Sequence, residues 1–138
     1  MSAQENKAFY NRITEAIWNK GDLDAVDELF APDVVIHSAP AEWPSGTEGV
    51  KATVSMYRGA LPDLKLTSNL VIAEGDKVAN YWTLSGTHSG ELMGVPGTGK
   101  RIETYGVSVV RFEGGKIVEI FGASDQLGLM QQLGAIPS

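Results

Sequence analysis

The chain carries the segment LKLTSNLVIAEGDKVANYWTLSGTH at residues 64–88. Both halves of this segment are rich in β-branched and aromatic residues, which favour extended strands. A Glu-Gly-Asp turn at 74–76 separates them, and glycine allows the positive φ angle that a tight hairpin needs. The segment therefore predicts two antiparallel strands, over 64–73 and 77–88.

The sequence that follows repeats this pattern. Strand-like runs over 101–113 and 116–123 flank a Glu-Gly-Gly turn at 113–115, which is a second hairpin signal. Residues 90–100 contain three glycines and a proline besides Gly90, too many breakers for a helix or a strand, so we predict a long hairpin loop there. Four consecutive antiparallel strands result.

Helix signals precede the strands. Ser2 and Glu5 have the spacing of a capping box, in which each side chain satisfies a free amide at a helix start, and Gly21 can provide the left-handed residue that ends the helix. Asp22 is suited to cap a second helix, which Pro32 stops. These residues predict two helices before residue 32.

A third and a fourth helix are also predicted. The third covers 47–59, after a short strand over 34–37. The fourth begins at Ser124 or Asp125, both good capping residues, and ends at Gly134. Helices segregated from a run of antiparallel strands indicate an α+β fold, and the absence of repeats or linkers predicts one domain over 1–138.

Composition excludes several classes of function. The formal net charge is -6 and the 11 basic residues are scattered, which disfavours a nucleic-acid partner. No apolar run approaches the length of a membrane span, and the N-terminus does not read as a signal peptide, so we expect no membrane partner. Cysteine is absent, which suits a cytoplasmic location and excludes thiolate chemistry.

Several motifs together resemble the SnoaL-like branch of the nuclear transport factor 2-like fold. They are Ala31-Pro32-Asp33, Leu61-Pro62-Asp63-Leu64, Gly86-Thr87-His88, Gly94-Val95-Pro96-Gly97-Thr98-Gly99-Lys100 and Gly115-Lys116-Ile117. The resemblance implies a cone-shaped, partly rolled antiparallel sheet, with three N-terminal helices and a C-terminal helix enclosing a pocket. It also implies a small hydrophobic organic ligand, no cofactor, and a homodimer formed through the sheet.

Three ionisable side chains are candidates for acid–base catalysis. His37 and His88 could exchange protons near neutral pH, although each could instead be held by partners at a strand end. The resemblance implies that His37 faces the pocket. Asp125 lies where the last strand meets the last helix and could be an acid or base, or only a helix cap. Two histidines without a clear carboxylate partner predict no metal site.

Four aromatic side chains are candidate ligand contacts: Trp18, Tyr57, Trp82 and Tyr105. Aromatic walls suit fused-ring ligands, and polar tips can orient them. Along the second long strand, alternation places Trp82 on the same face as Val78 and Leu84 and places Tyr81 on the opposite face. We therefore expect Trp82, and not Tyr81, to face the pocket.

The resemblance also implies a difference from the cyclases of the family. Their general acid–base aspartate aligns with Gly122, and the assisting histidine aligns with Ser108, so neither group is present. Three functions remain: a cofactorless polyketide-cyclase-like enzyme acting on a hydrophobic carbonyl compound, a non-catalytic binding domain, and a dimerisation module. The module would use an apolar outer face composed of Val107, Val109, Ile117 and Phe121.

Overall fold

The computed structural model describes residues 2–136, which form four α-helices and five β-strands. The helices are α1 (Ala3–Ile13), α2 (Asp24–Leu29), α3 (Gly46–Ala60) and α4 (Gln126–Leu133), and α1 continues into a π-helical segment at Thr14–Asn19. The strands are β1 (Phe30–Ile36), β2 (Lys65–Glu74), β3 (Lys77–Thr87), β4 (Arg101–Glu113) and β5 (Lys116–Ser124). This order confirms the α+β class.

The strands form one sheet in the order β1-β5-β4-β3-β2. The antiparallel pairing of β2 to β5 confirms the predicted succession of hairpins. The sheet differs from a wholly antiparallel one because β1 pairs in parallel with β5, and the described strands do not close into a barrel. No hairpin joins β1 to β5, so no turn imposes an antiparallel direction on this pair.

The predicted helix boundaries have the expected caps. Ser2 and Glu5 form the complete capping box, with Glu5 N donating to Ser2 Oγ at 3.1 Å and Ser2 N donating to Glu5 Oε1 at 2.9 Å. Gly134 ends α4 with a φ of 78°. The third helix begins at Gly46, one residue earlier than predicted.

The helices cover one face of the sheet, where the apolar core is divided in two. The first cluster comprises Tyr10, Ile13, Ile17, Ala25, Val26, Phe30, Val34, Val50, Val54, Val78, Val110, Phe112 and Ile117. The second comprises Ala60, Leu61, Leu64, Leu66, Leu84, Leu92, Ile102, Leu129 and Leu133. On β3 and β4, Asn80, Trp82, Thr104 and Ser108 lie between the clusters, so a polar and aromatic band crosses the covered face.

The opposite face of the sheet, called here the outer face, exposes a set of large apolar side chains. They are Val35, Leu70, Ile72, Tyr81, Tyr105, Val107 and Phe121. The predicted placement of Val107 and Phe121 is confirmed, whereas that of Ile117 was wrong, because Ile117 is fully buried in the first cluster. The register between β4 and β5 shifts at Arg111/Phe112 and changes the face that Ile117 occupies.

The carboxylate of Asp63 ties the loop after α3 to the end of β3. It accepts hydrogen bonds from Thr87 N at 2.7 Å and from the Thr87 hydroxyl at 2.8 Å. The backbone hydrogen bond from Thr87 is the largest cause that lowers the pKa of Asp63 below its ordinary value of 3.8. A lowered pKa means that the ionised form stabilises the folded protein.

We expect Asp63→Asn to lower the melting temperature at neutral pH and to reduce the loss of stability in acid. In the native chain, this stabilisation is complete above pH 3.8 and disappears as the pH falls through the lower pKa of the folded state. Thermal unfolding of both proteins between pH 3 and 7 measures the effect. Equal pH dependence in the two proteins would contradict this role of Asp63.

Candidate functional site

Trp82 occupies the middle of the covered face. Val78 and Leu84, which share this face of β3 with Trp82, are buried, which confirms the predicted alternation, while the Trp82 side chain remains partly exposed. The indole Nε1 donates a hydrogen bond of 2.9 Å to Ser108 Oγ on β4. An aromatic ring that faces the helices yet stays accessible is suited to contact a bound molecule.

Gly106 provides the room for this ring. It lies directly opposite Trp82 in the sheet, and a Cβ atom there would stand 2.4 Å from Trp82 Cζ2 and 2.6 Å from the Ala123 carbonyl oxygen. Both distances are far below a normal contact. The absence of a side chain at Gly106 therefore lets the indole lie against β4 and reach Ser108.

Ser108 and Gly122 are directly paired across β4 and β5. These are the two positions that the resemblance aligned with the histidine and the aspartate of the cyclases. A Cβ atom at Gly122 would meet Ser38 Oγ at 3.6 Å and Ser108 Oγ at 3.9 Å, which are ordinary contacts. Hydroxyl groups, and no ionisable group, are thus the nearest side-chain atoms to this point.

Trp18 and Tyr57 form an aromatic pair opposite the sheet. Their ring centroids lie 6.1 Å apart, and both rings pack against the second core cluster, as Trp82 does. Arg58 fixes the backbone beside this pair, because its Nη1 donates to the carbonyl oxygen of Trp18 at 2.8 Å. Burial raises the pKa of the Tyr57 phenol, so Tyr57 is a neutral hydrogen-bond donor.

We name Trp18, Tyr57, Trp82, Ser108 and Gly122 the Trp82 cluster. All five residues are partly exposed although they belong to the side of the sheet that the helices cover. Three of the four predicted ligand contacts lie in it. Sequence reasoning missed Gly106 as a supporting residue, although a glycine inside a strand is a known signal of close approach by another group.

Tyr105, the fourth predicted ligand contact, lies elsewhere. It pairs with Thr83 on the outer face, is 52% exposed, and packs edge-on against Tyr81 at 6.3 Å. The prediction that Tyr105 lines a pocket beneath the helices was wrong. Alternation along β4 explains this, since Thr104 and Gly106 are its neighbours on the covered face.

His37 also lies on the outer face. Its ring stacks on Phe121 with centroids 4.3 Å apart, and Nε2 is 3.4 Å from Glu119 Oε2. The expectation that His37 faces the covered side was therefore wrong. Glu119 in turn accepts a hydrogen bond from Arg111 Nη2 at 2.9 Å, which is the largest cause lowering the pKa of the Glu119 carboxyl.

His88 is completely buried and anchors the loop before β4. Its backbone bonds to Lys100 and Gly99, and its Nδ1 accepts a hydrogen bond from Thr98 N at 3.3 Å. Nδ1 also lies 3.0 Å from Thr98 Oγ1, whereas the buried Nε2 has no hydrogen-bond partner among the described residues. This placement matches the predicted alternative of a loop anchor and keeps the ring away from solvent.

Asp125 is the N-cap of α4, as predicted. Its Oδ1 accepts a hydrogen bond of 2.9 Å from Gly128 N. The next residue, Gln126, interacts with the Tyr57 phenol and donates through Nε2 to Ser124 Oγ at 2.9 Å. Asp125 thus directly precedes a side chain that affects the pKa of the Tyr57 phenol.

The described residues also bear on metal, membrane and surface-cleft sites. Between residues 2 and 136, no group of three His, Cys, Asp or Glu side chains could hold a metal ion. No helix in that range is long and apolar enough to span a membrane. A cleft of about 460 Å³ is lined by Asp33, Val35, Arg111, Glu113, Gly114, Val118 and Glu119, a charged set poorly suited to an apolar ligand.

The fold agrees with comparisons to known proteins. The family model described as SnoaL-like polyketide cyclase matches residues 8–133. The chain is 30% identical to nogalonic acid methyl ester cyclase of Streptomyces nogalater over 125 residues, covering 85% of this chain and 89% of that protein. The chain therefore belongs to the SnoaL-like polyketide cyclase family.

Solved structures support the same assignment. AclR of Streptomyces galilaeus, provisionally assigned as a hydroxylase, is 34% identical with a TM-score of 0.88, covering 99% of this chain and 85% of that one. TsrD of Streptomyces laurentii is 28% identical with a TM-score of 0.85, covering 94% of this chain and 98% of that one. Family membership establishes the scaffold, and the activity must be argued from the site.

Proposed function

We propose that the protein is a cofactorless, cyclase-like enzyme that binds a hydrophobic carbonyl compound at the Trp82 cluster and moves protons on it. The observation that carries this proposal is the accessible Trp82 indole on the helix-covered face, fixed by Ser108 and Gly106. Fused aromatic rings of the ligand would stack among Trp18, Tyr57 and Trp82. Polar contacts would come from hydroxyl groups.

The proposed chemistry needs one base and one donor. Abstraction of a proton next to a carbonyl places negative charge on the carbonyl oxygen, and the neutral Tyr57 phenol can donate a hydrogen bond to it. Asp125 is the carboxylate we propose as the acid–base group. His88 is buried and His37 lies on the outer face, so neither side chain is oriented for this role.

A second function is favoured by one specific observation. The side chains nearest to the open position at Gly122 are the hydroxyls of Ser38 and Ser108, where the cyclases are expected to carry ionisable groups. A domain with this site could bind an aromatic carbonyl compound and release it unchanged. Turnover separates the two functions.

The substrates of the relatives are the first compounds to test. We expect the purified protein to convert nogalonic acid methyl ester or aklanonic acid methyl ester, the compounds in the names of its relatives. Chromatography and mass spectrometry distinguish a ring closure without loss of atoms, which leaves the mass unchanged, from a hydroxylation, which adds an oxygen atom. Binding with complete return of the compound would establish the second function.

Variants test the assigned roles. We expect Tyr57→Phe to lower kcat about 10²-fold, as for loss of one oxyanion donor, and Asp125→Asn to lower it by about 10² or more. Tyr105→Phe removes the same phenol on the outer face and is the matched control, with unchanged turnover. Equal effects of Tyr57→Phe and Tyr105→Phe would contradict the placement of the ligand.

We also propose that the outer face joins two copies of the chain. Its exposed apolar side chains extend across all five strands, with Leu70 and Ile72 on β2, 56% and 57% exposed, at one side and Val35 on β1 at the other. An apolar sheet face can pack on its own copy about a two-fold axis, the commonest symmetry of protein oligomers. Such contiguous exposure marks an interaction surface.

A further inference from the structure

The neighbourhood of Gly122 contains two hydroxyl groups that point to one place. A single carbon atom attached to Gly122 would be 3.6 Å from Ser38 Oγ and 3.9 Å from Ser108 Oγ. Ser38 follows β1 and Ser108 lies on β4, so the two hydroxyls approach from opposite sides of β5. A ligand atom near this point could interact with both.

The backbone does not require a glycine at this position. Gly122 does not have a positive φ, and the added carbon would make only ordinary contacts. Gly106, on the neighbouring strand, is different because an added carbon there would collide with Trp82. The lack of a side chain at Gly122 thus leaves room beside two hydroxyls without serving the fold.

The hydrogen bond from Trp82 determines how Ser108 can act. Because the indole Nε1 donates to Ser108 Oγ, the serine oxygen is an acceptor in that contact. In the part of the chain that the structure describes, this is the hydrogen bond in which the Ser108 side chain takes part. Its own hydrogen is therefore available for a second acceptor.

We propose that Ser38 and Ser108 form a binding site for a carbonyl or enolate oxygen of the ligand, with Gly122 providing its space. This inference rests on the proposed function, since it places the polar end of a ligand whose rings contact the Trp82 cluster. The two serine hydroxyls are neutral hydrogen-bond donors, which stabilise an oxygen atom with partial negative charge. They form no hydrogen bond with an all-carbon ring system and so do not raise its affinity. Ser38 and Ser108 would thus select carbonyl compounds over hydrocarbons of the same shape.

Anthraquinone and anthracene test this selection because they share a three-ring skeleton and differ in two carbonyl groups. Dissociation constants are measured by quenching of tryptophan fluorescence in the native chain and in Ser38→Ala, Ser108→Ala and Ser108→Thr. We expect each alanine variant to weaken anthraquinone binding about five- to tenfold, the effect of one neutral hydrogen bond, and to leave anthracene binding unchanged. Ser108→Thr keeps the hydroxyl and should keep the affinity.

Ser55→Ala is the control, because Ser55 is an exposed serine on α3 that lies outside the Trp82 cluster. We expect it to change neither affinity. Equal weakening of both compounds by Ser108→Ala would show that Ser108 acts only by holding Trp82 and would overturn the inference. Unchanged anthraquinone binding in both alanine variants would overturn this inference but not the proposed function. Failure of the native chain to bind either compound would overturn both.

Discussion

Gly106→Ala is expected to lower the melting temperature by roughly 4–10 °C and to abolish ligand binding at the Trp82 cluster. The added carbon would stand 2.4 Å from the Trp82 ring and 2.6 Å from the backbone oxygen of Ala123, so the indole must move and β5 must shift. Overpacking of this kind typically costs about 1–3 kcal/mol, which corresponds to several degrees in a domain of this size. The displaced ring would also lose its hydrogen bond to Ser108.

Gly122→Ala is the control for this prediction. It adds the same carbon on the neighbouring strand and the same face, where the nearest atoms are 3.6 Å away. We expect its melting temperature to remain close to that of the native chain. Thermal unfolding and near-ultraviolet circular dichroism of tryptophan compare the variants, and equal stability of the two would show that Trp82 does not lie against Gly106.

Val107→Asp is expected to convert a dimeric protein into a folded monomer. Val107 is 47% exposed on the outer face, so a carboxylate there is well solvated in the monomer. In a two-fold dimer, the same substitution would bury a charge from each copy, which costs several kcal/mol per unpaired ion. The effect on oligomeric state should be large and the effect on folding small.

Leu127→Asp provides the matched control. Leu127 is 62% exposed but belongs to α4 and not to the outer face. We expect this variant to keep the sedimentation behaviour of the native chain in analytical ultracentrifugation. A native chain that sediments as a monomer, or a Val107→Asp variant that remains a dimer, would contradict the proposed interface.

Much of the fold was predictable because local chemistry determines it. The turns at Gly75 and Gly114 have positive φ angles of 57° and 60°, as a hairpin glycine should, and each of the four long strands has one end at one of these turns. Ser2 and Gly134 similarly define the first and last helix boundaries. Each of these signals lies within a few residues of the feature that it determines.

The parallel pairing of β1 with β5 was not predictable in this way. About 80 residues separate the partners, such as Ile36 and Ile120, and no turn joins them. The pairing is also irregular between Phe30 and Val35, so its register cannot be read from spacing. Long-range pairing of this kind depends on how the whole sheet packs against the helices.

The candidate site was predictable in part. Alternation along β3 placed Trp82 on the correct face. Alternation along β1 would also have placed His37 on the same face as the exposed Val35, because Val34 is buried and Ile36 lies on the covered face. The expectation for His37 followed the resemblance instead. Ser38 was missed because its proximity to Gly122 arises from the parallel edge pairing, which the sequence does not show.

A crystal structure of the protein with aklanonic acid methyl ester bound would locate the ligand. We expect the ring system against Trp18, Tyr57 and Trp82, on the face of the sheet that the helices cover, with a ligand oxygen between Ser38 and Ser108. A ligand bound on the outer face, against Tyr81, Tyr105 or His37, would contradict this placement.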